Sequence, residues 1–164
     1  MSLPAYMFLY DENGNPIKGS CNVSGREGAI EILNSNYHIH QVCSASTGNL
    51  MGAREHGAFT IHKQIDKTSP FFADALCQSK RLHKAVIHYY DVNEAGFEFE
   101  VYHITLDSIV IMSVDAAHTW VPGAPGHNMM ESIGIRYSGI EWFYLEGHIK
   151  YEDHWNKVPQ GGRY

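Results

Sequence analysis

Two histidines on a predicted strand are the first residues of this sequence that could do chemistry. His38 and His40 stand two positions apart, so on an extended strand both rings point to one face, as two metal ligands would. A cupin-like site would also need a glycine before the first histidine and a carboxylate after the second. This chain has Ile32, Ser44 and Ala45 at those positions. Because a metal site needs three or four ligands, we expect no metal here and a solvated strand face instead.

The sequence carries no signature of a nucleophile or of a phosphate-binding loop. It contains neither a G-x-S-x-G elbow nor a glycine-rich phosphate motif, and Cys43 has no identifiable base. Glu98 and Glu100 alternate with apolar residues, as on a half-buried strand. Three more histidines are expected at ordinary sheet-surface positions: His83, His88 and His103. We therefore predict a protein that is not an enzyme and has no cofactor.

Composition limits the fold and the class of partner. The 164 residues, 44% hydrophobic and 18% charged, predict a single globular domain spanning 1–164. Ten Tyr, seven Phe and three Trp favour β-sheet. A net charge of −6 argues against a nucleic-acid partner, which would require a basic face.

Cysteine usage and the N-terminal composition bear on localisation. The three cysteines lack C-x-x-C spacing, so a disulfide framework is not expected. The first residues have no basic region followed by a long apolar run, so we predict neither a signal peptide nor membrane insertion. The chain is expected to be synthesised in the cytoplasm.

The sequence predicts a single helix, from about residue 68 to 79. Thr68 and Ser69 offer hydroxyls for the N-cap, and a proline follows at the first helical position. Phe72 and Leu76 lie one turn apart on an apolar stripe. Because three turns of helix are not stable alone in water, we expect these two side chains to pack the helix onto a sheet.

The remaining segments predict a mainly β fold. About eight strands without βαβ alternation indicate a compact antiparallel β-barrel or two-sheet sandwich with one flanking helix. The apolar positions change parity between 29–33 and 36–42, which predicts a bulge or bend at 33–35. Segments 43–57 and 117–128 lack strand periodicity and are predicted to be long loops, which are usually functional or disordered.

Five short stretches follow one another along the chain: GREGAIEI at 25–32, TGNLMGAR at 47–54, IDKTSP at 65–70, IEW at 140–142 and DHWN at 153–156. Together they resemble the haemolysin-coregulated protein (Hcp) family, the inner-tube subunits of the bacterial type VI secretion system. The resemblance covers essentially the whole chain, and the strand–IDKTSP–helix passage is its most specific part.

The resemblance implies a β-barrel subunit that assembles into homohexameric rings, which stack into a tube. Such a tube carries a spike protein at its tip, lies inside a contractile sheath on a baseplate, and is ejected into neighbouring cells with small effector proteins in its lumen. It implies secretion through this apparatus, a role in virulence, and no catalytic or metal-binding residues. Some relatives carry a toxin domain after the barrel; no such C-terminal effector extension is expected here.

By the same resemblance, the loop at 43–57 is expected to reach the adjacent ring. Leu50 and Met51 are apolar where a solvated loop would be polar, so they need a surface to bury against. The predicted ring-stacking residues are Thr47, Gly48, Asn49, Leu50, Met51, Gly52 and Arg54. A mobile loop with incidental hydrophobic residues is the alternative. A lumen-facing or solvent-facing surface is predicted for Asn36, His38 and His40.

Two functions of other classes stay open at this point. One is a small metal-dependent, cupin-like enzyme that uses His38 and His40. The other is a monomeric carbohydrate- or peptide-binding β-sandwich that exposes three tryptophans: Trp120, Trp142 and Trp155.

Overall fold

The computed structural model describes residues 3–123 and 129–156, and within them the chain is mainly β with one helix. The strands are β1 (Ala5–Tyr10), β2 (Pro16–Ile17), β3 (Ile30–Ile32), β4 (Asn34–Asn36), β5 (Ile39–Cys43), β6 (Leu50–His56), β7 (Phe59–Gln64), β8 (Arg81–Val92), β9 (Glu98–His118), β10 (Met129–Arg136), β11 (Gly139–Tyr144) and β12 (Ile149–His154). The helix, α1, spans Ser69–Cys77 and is neither long nor apolar enough to cross a membrane. The predicted fold class is confirmed, although the described residues form twelve strands where about eight were predicted.

One large antiparallel sheet organises the fold. Its strands follow the order β2-β1-β8-β9-β10-β7-β4, and β11 and β12 branch from β9. β3 pairs with β1, whereas β4, next along the chain, pairs with β7, so this segment is hydrogen-bonded to strands far apart in the sheet order. The chain changes partner at Leu33, whose N–H donates to the His62 carbonyl at 2.9 Å. This is the bend predicted at 33–35.

The apolar core lies on the inner face of this sheet and under α1. Phe59 and Ile61 of β7, Ile87 of β8 and Leu106 of β9 are fully buried in it. Each of these strands buries alternate residues, which is the period-2 pattern of a sheet with one covered face. Phe72 of α1 is also fully buried in the core, and Leu76 packs partly buried against it.

The start of α1 differs from the prediction, because neither hydroxyl caps the helix. The Asp66 carboxylate accepts hydrogen bonds from the Thr68 N–H at 2.8 Å and from the Thr68 hydroxyl at 2.5 Å. The Ser69 hydroxyl in turn accepts from the Asp66 N–H at 3.0 Å. An aspartate turn therefore sets the entry to the helix, and it uses the hydroxyls that the sequence assigned to the cap.

The prediction that residues 43–57 form a long loop without strands is also wrong. Its second half is β6, which pairs with β5 in a separate two-stranded sheet. Gly48 lies in the connecting turn with φ +71° and Gly52 lies within β6 with φ +70°. Gln41 donates its side-chain amide to the Gly52 carbonyl at 2.8 Å, next to a shift in strand register. A glycine with positive φ inside an irregular strand thus hid the strand from pattern analysis.

The predicted loop at 117–128 begins later than expected, since β9 continues to His118. Residues 119–123 form neither strand nor helix, and residues 124–128 of the predicted loop lie outside the described residues.

Candidate functional site

The β5–β6 hairpin is the candidate functional element, because its apolar side chains have no core to enter. Leu50 is 58% exposed and Met51 is 54% exposed. Leu50 lies opposite Cys43, and Met51 lies opposite Val42, which is exposed as well. Because neighbouring residues on a strand point to opposite faces, the hairpin presents apolar side chains on both of its faces.

The tip of this hairpin is ordered by its own backbone. The Ser44 N–H donates to the Asn49 carbonyl at 2.8 Å, and the Gly48 N–H donates to the Ser44 carbonyl at 2.8 Å. The Thr47 hydroxyl accepts a longer bond of 3.4 Å from the Asn49 N–H. The predicted stacking residues 47–52 therefore lie on a hydrogen-bonded turn and at the start of β6.

A buried polar network, which we call the hairpin clasp, fixes the base of the hairpin. It consists of Arg54, His56, Tyr137 and Asp153. Arg54 donates two hydrogen bonds of 2.6 Å to the two Asp153 carboxylate oxygens, in the bidentate geometry that makes such pairs strong. His56 Nε2 lies 2.8 Å from Asp153 Oδ2, and His56 Nδ1 lies 2.7 Å from the Tyr137 hydroxyl oxygen. The clasp thereby joins β6 to β12 and to the end of β10.

The Asp153 carboxylate fixes one direction in the clasp. A carboxylate only accepts, so the His56 Nε2–H donates to Asp153, and a further hydrogen bond joins His56 Nδ1 to the Tyr137 hydroxyl. The hydrogen bonds from Arg54, together with the one from His56, lower the pKa of Asp153 to about 2. Burial raises the pKa of Tyr137 to about 12.

An aspartate–histidine–hydroxyl chain can activate a nucleophile, but all members of this one are shielded from solvent. His56, Tyr137 and Asp153 are all buried, and the Trp155 ring packs 5.5 Å from the His56 ring. With all three side chains buried, these hydrogen bonds connect β6, β12 and the end of β10. Sequence analysis named Arg54, included Asp153 only within the DHWN stretch, and missed His56 and Tyr137, because these residues lie 2, 83 and 99 positions from Arg54 along the chain.

A second buried network positions α1. Lys63 of β7 is fully buried and forms a very short ion pair with Glu131 of β10. Its ammonium also donates to the Gln64 carbonyl at 2.8 Å and to Asp66 at 3.0 Å. Ser69, the first residue of α1, donates to Glu131 at 2.7 Å. This network gives a physical role to the aspartate and serine of the IDKTSP stretch.

The predicted histidine surface is exposed. Asn36, His38 and His40 are all accessible, and the two imidazole rings stack at 4.8 Å. His40 Nε2 lies 3.2 Å from Glu55, which is also exposed. Among the described residues, the one group of three potential metal ligands does not include His38 or His40. Whether this surface faces a lumen stays a prediction.

That group consists of His88, Glu100 and His103, and both histidines, predicted at ordinary sheet-surface positions, are half-buried. Both Nδ1 atoms point at the same carboxylate oxygen, from 2.6 Å for His88 and 2.8 Å for His103. All three side chains are less than a quarter exposed. His83, by contrast, is exposed as predicted.

The three tryptophans do not form one exposed platform. Trp142 stacks on Tyr151 and donates to the Tyr37 hydroxyl at 3.1 Å, whereas Trp155 packs on the hairpin clasp. Trp120 is 75% exposed. The arrangement gives no support to a binding sandwich built from all three rings.

The chain is similar to known proteins over most of its length. A family model described as type VI secretion system effector, Hcp, matches residues 6–144. A search of curated proteins finds no match.

Solved structures share the fold. The Hcp1 protein from E. coli EAEC 042 pathovar, solved as a mutant, is 32% identical with a TM-score of 0.86, and the match covers 94% of this chain and 99% of that one. The secreted protein Hcp3 from Pseudomonas aeruginosa is 21% identical with a TM-score of 0.73, over 95% of this chain and 100% of that one. A type VI secretion system effector from Yersinia pestis is 17% identical with a TM-score of 0.69, over 92% and 98%. The last two likenesses establish the fold alone.

Proposed function

The chain belongs to the Hcp family of type VI secretion proteins, and from this premise we propose that it is the structural subunit of the secretion inner tube. In this proposal it forms homohexameric rings that stack into a tube, and a contractile sheath ejects the tube with small effector proteins in its lumen. Its partners are other copies of itself, a spike protein at the tip, and the sheath and baseplate proteins. Asn36, His38 and His40 lie on the lumen side or face solvent, and the protein performs no catalysis.

The observation that carries this proposal is the β5–β6 hairpin. Leu50 and Met51 are exposed on a turn and strand that are ordered by their own hydrogen bonds. Such a preorganised apolar element binds a surface at low entropic cost, because little freedom is left to lose. The hairpin clasp supports the same reading, since it fixes the direction in which the hairpin leaves the sheet.

Other exposed apolar residues support lateral contacts between copies. β12 pairs only with β11 among the described strands, and Ile149 and Tyr151 on it are largely exposed. Phe97, just before β9, and Phe99, near its start, are exposed as well. Exposed apolar side chains that lie together mark surfaces for contact with another protein. Lateral contacts that close a ring and axial contacts that do not close would together build a tube.

The stacking role is tested with the double substitution Leu50→Asp and Met51→Asp. Two charges on the hairpin would oppose burial in a neighbouring ring, so we expect rings of unchanged mass and no tubes by negative-stain microscopy. Secretion of the protein should be lost together with the tubes.

A matched control adds the same charge at another exposed turn, with Asn13→Asp and Asn15→Asp between β1 and β2. This variant should stack and be secreted like the unmodified protein. Tubes formed by the Leu50/Met51 variant would contradict the stacking role, and loss of the rings themselves would place the hairpin in the lateral contact.

A further inference from the structure

We propose that His88, Glu100 and His103 form a binding site for a divalent transition metal ion of the zinc class. The three side chains supply two imidazole nitrogens and one carboxylate oxygen, and these atoms lie within 4.8 Å of one another. This proposal is independent of the hairpin and of tube assembly.

Strand pairing brings the two histidines together. His88 of β8 lies directly opposite His103 of β9, with ring centroids 5.3 Å apart. Both rings point away from the core, because their neighbours Ile87 and Ile104 are the residues that enter it. Directly opposed residues are the closest side-chain pairs that an antiparallel sheet offers.

Glu100 reaches this pair only because the ladder is irregular. It lies three residues before His103, and on a regular strand an odd separation places two side chains on opposite faces. Here the register shifts by one: Tyr89 pairs with Tyr102, whereas Tyr90 pairs with Glu100, which leaves Val101 unpaired. The bulge turns the carboxylate to the face of the histidines. Bulges that redirect a side chain in this way are frequent at functional sites.

The surroundings hold the ligands in place. Phe143 of β11 stacks on the His103 ring at 4.9 Å, and Phe8 of β1 meets the His88 ring edge-on at 5.5 Å. Aromatic packing limits rotation of both imidazoles and reduces competition from water. The side chains of the three ligands remain 22–24% exposed, so an ion can enter and a water molecule can complete its coordination.

The present spacing requires only side-chain adjustment to accept an ion. Zinc bonds of about 2.0–2.2 Å to nitrogen and oxygen place tetrahedral ligand atoms roughly 3.4 Å apart. The Glu100 oxygen now lies 2.6 and 2.8 Å from the two nitrogens, as expected when protons bridge them. Binding of the ion would replace these protons, move the carboxylate outward, and bring the two nitrogens, which lie no more than 4.8 Å apart, closer together by up to roughly 1.4 Å.

The donor set selects the class of ion. Imidazole nitrogen is a preferred ligand of zinc, copper, nickel and iron, whereas magnesium and calcium prefer sites built from oxygen. Two imidazoles and one carboxylate therefore predict binding of Zn²⁺ and Cu²⁺, and no measurable competition by Mg²⁺.

The test is a calorimetric titration with Zn²⁺ of the full chain, purified without a histidine tag and freed of metal by chelation. We expect one ion per chain at this site, and an affinity at least about tenfold lower after His103→Ala, since even loss of an outer hydrogen-bonding partner costs that much. Glu100→Gln keeps the shape of the side chain and should weaken binding similarly. Zn²⁺ should raise the melting temperature of the unmodified protein more than that of either variant.

The matched control is His38→Ala with His40→Ala, which removes the exposed histidine pair and should leave this binding unchanged. Substitution with Co²⁺ supplies a second readout, because its visible absorption should report nitrogen and oxygen ligands in the unmodified protein and the control. If His103→Ala does not fold, Glu100→Gln decides the question through the same spectrum. Equal affinities in all variants, or binding abolished only in the His38/His40 control, would overturn the proposal.

Discussion

At the scale of single residues, the buried polar side chains of the described chain fall into three networks. Arg26 pairs with Glu98 at 2.5 Å and lies over the ring of Tyr90. The other two networks are the hairpin clasp and the set around Lys63. Breaking a buried ion pair by removing one partner leaves an uncompensated charge, which costs more than the pair contributes. Substitutions in these networks are therefore expected to lower the stability of the fold.

The hairpin clasp makes stability depend on pH in the acid range. The pKa of Asp153 falls from an ordinary 3.8 to about 2 in the folded protein. Its contribution is therefore present above about pH 4 and is lost as the pH falls toward 2. We expect Asp153→Asn to lower the free energy of unfolding by about 2 kcal/mol at pH 7 and by much less at pH 2.

Denaturant unfolding at several pH values measures this difference. Asp115→Asn, at an exposed carboxylate on β9, is the matched control and should leave the pH profile unchanged. A constant difference between Asp153→Asn and the unmodified protein from pH 7 to pH 2 would contradict the assignment.

The Lys63–Glu131 pair predicts a second effect at this scale. Glu131→Gln removes the negative charge and leaves the buried ammonium with neutral partners and the Asp66 carboxylate. We expect a loss in the free energy of unfolding smaller than the roughly 3–5 kcal/mol of an uncompensated buried charge, because Asp66 still pairs with Lys63. Adding Lys63→Met to this variant should restore part of the loss, and a double variant less stable than the single one would argue against charge burial as the cause.

At the scale of elements, α1 is held mainly by one side chain. Phe72 is fully buried in the core, whereas Leu76, predicted as its equal, is only partly buried. Phe72→Ala should therefore cost roughly 3–5 kcal/mol of unfolding free energy, and Leu76→Ala distinctly less. Thermal and denaturant unfolding measure both, with Phe71→Ala, at an exposed helix position, as the control. Equal losses for Phe72 and Leu76 would show that the stripe packs as the sequence predicted.

At the scale of the whole molecule, assembly is the property that the proposed function requires. The subunit has a mass of 18.5 kDa, so a ring should have six times that mass by light scattering. The Leu50/Met51 variant should give the same value, since its substitutions lie on the axial element. A single species with the subunit mass at micromolar concentration would contradict the ring.

The amino-acid sequence by itself determined the elements whose signals are local. The proline at the start and the apolar stripe located α1 to within two residues at its C-terminal end. The five ordered stretches also identified the family, because they extend over the whole chain and not over one element.

Only the tertiary structure decided which distant residues meet. Arg54 and Asp153 are 99 positions apart, and nothing local pairs them. A regular strand would place Glu100 and His103 on opposite faces, and a bulge created by pairing with β8 puts them together. The segment around Gly52 was likewise predicted to be a loop, whereas its pairing with β5 makes it a strand. Hydrogen bonding between strands, which depends on partners far along the chain, overrides local pattern at these three places. The candidate functional and metal sites lie at those places.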